Sequence, residues 1–90
     1  MKTTILSAVS VLVLLLSSQA NSATINNFQC QKLYDKWQGL KGHKAFYITQ
    51  DGQHCGYSYE DKTKSEAKEE ALYYCNKNKS KGKCVLFKVK

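Results

Sequence analysis

Four cysteines, two histidines, a serine in a tyrosine-rich strand and a run of alternating lysines are the residues with which this chain could do chemistry. Zinc sites usually bring their ligands in close pairs, but the cysteines stand at 30, 55, 75 and 84, with no Cys-x-x-Cys. Oxidised pairs account for that spacing better than a metal centre. His54 beside Cys55 suggests a Cys-His nucleophile, yet neighbours on a strand point to opposite faces and a paired cysteine has no thiolate to offer. Ser58 lacks a nucleophile-elbow context, and His43 in a glycine-flanked stretch reads as an exposed residue rather than a base. Asp61, Glu66, Glu69 and Glu70 suit the positive end of a helix dipole. The expectation is no catalytic residue, no metal and no cofactor.

Lys77, Lys79, Lys81 and Lys83 form the densest charge on the chain and are its candidate anion-binding residues, for phosphates or sulfates. The reading with more weight is a solvated loop whose lysines complement the carbonyl end of the preceding helix. The net charge is +7, all of its positive charge is lysine, and there is no arginine. Arginine is the side chain suited to bidentate recognition of phosphates and base edges, so sequence-specific nucleic-acid binding is disfavoured. Anionic partners in general remain open to a basic surface.

The amino terminus sets the compartment in which these residues work. Lys2 precedes an apolar run, Ile5 to Leu16, and Ser18-Gln19-Ala20 has the small residues that a signal peptidase reads. Residues 1–20 are therefore expected to be a signal peptide cut after Ala20, with Ala23 as the alternative. The run is too short for a spanning helix, which needs about 20 apolar residues. No cysteine follows it closely, so a lipid anchor is not expected. The protein is expected to be periplasmic or secreted, where cysteines oxidise. The remaining chain, about 70 residues long, has room for one domain of the size that usually needs disulfides to hold it.

Residues 21–26 read as a flexible lead-in and 27–90 as a single domain. Cys30, Leu33, Tyr34 and Trp37 fall on one stripe of a helix from about Asn27 to Gln38, capped by Asn26 or Asn27 and stopped by Gly39. Ala45 to Gln50, the Asp51-Gly52 turn and the stretch from His54 to Tyr59 predict a hairpin. If the turn has two residues, Thr49 pairs with His54, Ile48 with Cys55, Tyr47 with Gly56 and Phe46 with Tyr57. One face then carries Phe46, Ile48, Cys55, Tyr57 and Tyr59. The other carries Ala45, Tyr47, Gly56 and Ser58, small enough for another backbone to approach.

Thr63 to Glu66 fits a capping box that opens a helix ending near Cys75, with Ala67, Ala71, Tyr74 and Cys75 on its packed face and Tyr73 pointing elsewhere. A Lys-rich loop leads to a last strand from Cys84, in which Cys84 and Leu86 face the second helix and Val85, Phe87 and Val89 the first. Four cysteines permit three pairings, and spacing alone does not choose. The inferred facing favours Cys75 with Cys84 and Cys30 with Cys55, each worth roughly 2.5 to 3.5 kcal/mol in the chain-entropy picture. The expected fold is α+β: an N-terminal helix, then β-β-α-β, with a three-stranded, mainly antiparallel sheet in order 2-1-3 and a helix on each face.

Ala45-Phe46, Asp51-Gly52, Gly56-Tyr57-Ser58-Tyr59, Glu66-Ala67-Lys68, Ala71-Leu72, Cys75 and Cys84 together resemble a short module of small exported bacterial proteins of uncharacterised function. The resemblance covers Ala45 to Phe87; Cys30 and the first helix lie outside it. It implies export, supports the pairing of Cys75 with Cys84 and assigns no catalytic residue. The expected function is a small exported, non-enzymatic binding domain, its partner an unidentified protein or an anionic envelope component. The alternative is an inhibitor or immunity-type protein that blocks an extracytoplasmic enzyme. Neither the ligand nor the oligomeric state is written in the sequence.

Overall fold

The structure is a computed structural model that describes residues 23–90. The segment read as a signal peptide and the first two residues of the lead-in lie outside the described residues. Five elements follow in order: α1 (Phe28–Gln38), β1 (His43–Thr49), β2 (Cys55–Asp61), α2 (Lys64–Asn78) and β3 (Cys84–Val89). The strands form an antiparallel sheet in the order β2-β1-β3, with α1 on one face and α2 on the other. The fold is therefore α+β.

Asn27 caps α1, its side chain accepting from the Cys30 N–H at 3.0 Å, and Gly39 ends the helix. The apolar stripe delivers Cys30 and Trp37 into the core with Phe46, Ile48 and Cys55. Tyr34 stacks on Trp37 with centroids 5.5 Å apart and meets Phe46 and Phe87 edge-on at 5.2 and 5.0 Å. Trp37, Phe46 and Ile48 are fully buried, and each large apolar side chain removed from water contributes about 1.5–3 kcal/mol.

The C-terminal end of α1 is held by a residue outside the apolar pattern. Lys44 follows the α1–β1 connection, and its side chain is only 4% exposed. Its ammonium donates to the carbonyls of Trp37, Gln38 and Leu40 at 2.9, 2.9 and 2.5 Å and lies 4.8 Å from the Trp37 ring centroid. All three ammonium hydrogens thus have acceptors at a helix end, where a cation is favoured. Burial first, and the Lys90 charge second, lower its pKa from the usual lysine value.

The hairpin keeps the predicted register, with Ile48 opposite Cys55, Tyr47 opposite Gly56 and Phe46 opposite Tyr57. Its loop is longer than two residues. The Gly52 N–H donates to the Thr49 carbonyl at 2.8 Å, while the Gln50 N–H turns to the Lys83 carbonyl at 3.0 Å and so leaves the hairpin ladder. Asp51 orders the loop, accepting from the Thr49 hydroxyl at 2.6 Å and the Gln53 N–H at 3.0 Å. Those bonds, the hydroxyl's foremost, hold its carboxyl below the usual carboxylate range. The stretch read as a flexible lead-in has fixed contacts over residues 23–26. Ala23 and Ile25 pack on the core, and the Asn26 N–H donates to the Gly52 carbonyl at 2.8 Å. Gly52, at φ 76°, has no room for a side chain because Thr24 and Asn26 lie against it. Composition could not show a contact that depends on the glycine across from it.

The small face of the hairpin receives α2 as expected. A Cβ at Gly56 would lie 2.0 Å from the Cys75 nitrogen, so the helix backbone rests directly on the strand. Ala67, Ala71 and Cys75 are fully buried beneath it. Thr63 caps the helix through the Glu66 N–H at 3.1 Å, and the Glu66 carboxylate meets the Thr63 hydroxyl at 3.4 Å. The two disulfides are Cys30–Cys55 and Cys75–Cys84, as the facing of the elements indicated.

Three details differ from expectation. The helix runs past Cys75 to Asn78, because the Asn78 amide donates to the Cys55 carbonyl at 2.9 Å and ties down a further turn. Lys77 therefore belongs to the helix rather than to the loop. Val89 faces α2 instead of α1: Phe46 pairs with Lys88 and Tyr47 with Leu86, so Phe87 is an extra residue that reverses the alternation after it. Leu86 and Tyr74 are each 42% exposed. α2 lies mainly over β2 and β1, so Leu86 on the outer strand β3 is left uncovered and Tyr74 stands beyond the contact line of Ala67, Ala71 and Cys75.

Two substitutions test this architecture. Gly56→Ala drives a methyl group into the Cys75 backbone and is expected to lower unfolding stability by about 3 kcal/mol or more, beyond ordinary overpacking because a backbone cannot rotate away. Lys44→Met preserves length but removes the ammonium from the Trp37, Gln38 and Leu40 carbonyls, of which Trp37 keeps a second donor in the Leu40 N–H, with an expected loss of about 2–3 kcal/mol. Urea denaturation of the oxidised protein measures both, and a change below about 1 kcal/mol in either refutes the corresponding contact.

Candidate functional site

Because β1 is the central strand, the outer edge of β2 has no strand partner among the described residues. A groove of about 590 Å³ runs along this edge, lined by all of Cys55–Asp61, by Leu33 of α1 and by Glu70, Tyr74 and Asn78 of α2. A shallower hollow of about 500 Å³ continues from it past Asp61, Glu66, Glu69, Glu70, Tyr73 and Tyr74. On the α1 side, Leu33, Lys36, Trp37, Leu40, Tyr57 and Tyr59 surround a third, of about 270 Å³.

The walls are aromatic and acidic. Tyr59, Tyr73 and Tyr74 are 45%, 59% and 42% exposed, and Tyr57 and Tyr59 stack with centroids 6.3 Å apart. Of the seven acidic residues in the chain, five (Glu60, Asp61, Glu66, Glu69 and Glu70) line this surface. Local backbone geometry sets their positions. Glu60 sits at φ 57° where one residue bulges from β2, between the pairs Ala45–Ser58 and His43–Asp61. Its N–H donates to the Lys41 carbonyl at 3.0 Å, and Gly42, itself at φ 80°, has no Cβ to collide with it. The bulge reverses the alternation, so that Asp61 is brought to Glu70 on α2.

Asp61 and Glu70 form a coupled pair. Asp61 Oδ2 is buried and meets no hydrogen-bond partner among the described residues. Desolvation first, the Asp61 charge second and the hydrogen bond to Asp61 third raise the Glu70 pKa above the usual glutamate value. Helix-dipole reasoning from sequence placed both residues near the start of α2 but missed the pair, because the bulge that joins them has no sequence signature.

The residues singled out from sequence are dispersed. Lys77 lies in the last turn of α2; Lys79 is turned onto its own loop, donating to the Gly82 carbonyl at 2.7 Å; Lys81 and Lys83 are exposed beside Gly82. Ser58 is buried, its hydroxyl donating to the Ala67 carbonyl at 2.6 Å and accepting from the Ala45 N–H at 3.2 Å, so it ties α2 to the sheet. His43 is exposed at the start of β1, opposite Asp61 in the ladder, and the His54 N–H donates to the Thr49 hydroxyl at 3.0 Å. Cys30, Cys55, Cys75 and Cys84 are all in disulfides and carry no thiol. Among the described residues no three or more His, Cys, Asp or Glu side chains gather as a metal centre.

The carboxyl pair gives a pH test. A raised Glu70 pKa means that the folded state holds more proton than the unfolded one just above the ordinary glutamate value of about 4.3, so stability falls as pH rises through that window. Glu70→Gln removes the like charge and supplies an amide donor to Asp61. Because Glu70 is exposed and water screens it, the expected gain at pH 7 is a few tenths of a kcal/mol, or ~1–3 °C in thermal midpoint for a domain of this size. The decline between pH 4 and 7 should be shallower in the variant; an equal or steeper decline refutes the pair.

No protein-family model, no curated protein and no solved structure matches this chain.

Proposed function

We propose that this chain is an exported, non-catalytic interaction domain whose contact surface is the groove along β2. The observation that carries the reading is the concentration there of exposed tyrosines on an open sheet edge. Solvent-facing tyrosines grouped around a concave surface are the residues from which binding hot spots are built. Two disulfides hold both helices to the sheet, so such a surface is pre-organised, and ordering it on binding costs little. The resemblance to small exported proteins and the signal-like start belong to the same proposal, as does a periplasmic or secreted location. The lysines around Gly82 are the competing surface, for an anionic envelope component.

The two surfaces are separable. Oxidised protein immobilised on beads is exposed to an envelope extract of the producing cell, alongside the variant Tyr59→Ser, Tyr73→Ser, Tyr74→Ser and the variant Lys77→Gln, Lys79→Gln, Lys81→Gln, Lys83→Gln. The tyrosine variant is expected to lose at least about tenfold of the captured partner, a 1.4 kcal/mol effect typical of hot-spot truncation, while the lysine variant keeps it. The opposite pattern transfers the function to the lysine loop and overturns the proposal. Unchanged near-ultraviolet circular dichroism shows that each variant is folded.

A further inference from the structure

We propose that the edge of β2 receives an extended segment of a partner protein as a fourth strand, with lysine or arginine side chains of that segment directed toward α2. The inference rests on the groove being the contact surface and specifies what occupies it.

The backbone argues first. The Thr49 N–H bonds the His54 carbonyl at 2.9 Å, which fixes the alternation of the β1–β2 ladder. Cys55 and Tyr57 then turn their N–H and C=O groups outward, away from β1. The Cys55 carbonyl is met by the Asn78 amide, which confirms the outward direction. Tyr57, further along, has no strand on that side. Asn78 at one end and the Glu60 bulge at the other bound the open stretch, so about five residues of an added strand fit, some 17 Å.

The walls argue second, because a strand sends alternate side chains to opposite faces. On the α1 side the added strand meets the Tyr57–Tyr59 stack with Leu33 and Leu40, a surface for apolar side chains. On the α2 side it meets Glu70, Asp61 and Tyr74, which complement a cation by charge and by ring face. Main-chain bonds in such strand addition supply affinity, and the flanking pockets supply the choice of sequence. The segment called for alternates apolar and cationic residues.

The probe is a blocked heptapeptide of alternating valine and lysine. Its controls are the same peptide with glutamate for lysine, and the same peptide with alternate backbone amides N-methylated. Amide exchange and chemical shifts of the oxidised protein are followed by NMR. The lysine peptide is expected to shift β2 resonances saturably and slow Tyr57 amide exchange about tenfold. The glutamate and N-methylated peptides are expected to do neither, and Glu70→Gln with Glu60→Gln is expected to weaken binding about tenfold. Equal binding of the methylated peptide reduces the contact to charge pairing and overturns strand addition. Equal binding of the glutamate peptide overturns the cationic assignment. Protection of β3, or concentration-dependent association of the protein without peptide, assigns the edge to other pairing or to a second copy and also overturns the proposal. If the tyrosine variant loses its native partner while methylation has no effect, the contact surface stands and only strand addition falls; if that variant keeps its partner, both fall.

Discussion

Two adjacent residues of β2 connect every layer of this domain. The Cys55 side chain points to one face and is bonded to Cys30 of α1, while Gly56 points to the other face and, having no side chain, admits the backbone of α2 at Cys75. Cys75 in turn is bonded to Cys84 at the start of β3. The contact is steric before it is covalent: with a Cβ at position 56 the helix would have to stand off, and Cys75 would be carried away from the strand to which it is tied. A domain of this size has little apolar area to spare, so the first disulfide and the close approach at Gly56 must be compatible with the same register. A one-residue slip would exchange the faces of Cys55 and Gly56 and break both.

That constraint explains why the proposed contact surface lies where it does. Drawing α2 in tightly over Gly56 and Ser58 places Ala67, Ala71 and Cys75 at the contact and leaves the larger Tyr73 and Tyr74 at its margin, beside the sheet edge. Edge strands are normally blunted by charge, bulges or short length. β2 has two such devices, Asn78 at Cys55 and the bulge at Glu60, but they lie at its ends. The middle, where Tyr57 and Tyr59 stack, is not covered by another strand. Ends protected and centre open is not an edge closed against all pairing, and it suits the strand addition proposed for it.

Much of the fold was legible in the sequence because its signals were local and agreed with one another. Asn27 and Thr63 as caps, the alternation through Phe46, Ile48, Cys55 and Tyr57, and the small residues Gly56, Ala67 and Ala71 all constrained the same packing. From them followed the strand order and the two disulfides. The groove was not legible, since it depends on non-local events. A left-handed Glu60 relies on Gly42 across the connection; on the far strand, and apart from the groove, the Phe87 bulge that turns Val89 to the other face was equally hidden. Lys44 escaped for a related reason: a lysine at the start of a strand reads as solvent-facing, and only the position of the α1 carboxyl end makes it a buried cap. Tyr74 fell on the apolar side of a helical wheel, but a wheel does not say how wide the covering sheet is.

Net charge is a sum over the chain and says nothing of how the charges are distributed. A chain with net charge +7 suggests an anionic partner, yet its lysines are spread along the chain whereas five of its seven acids line one surface. At physiological salt the screening length is about 8 Å, shorter than the strand beside which those acids lie. A cationic segment seated in the proposed site would lie beside Asp61 and Glu70, so its surroundings are set by those carboxylates more than by the charge of the whole chain. The long-range field opposes its approach weakly; the short-range field favours its stay. Affinity in such a site resides in slow dissociation rather than in steered encounter, and its dependence on salt is governed by the few charges in contact and not by the sum over the chain.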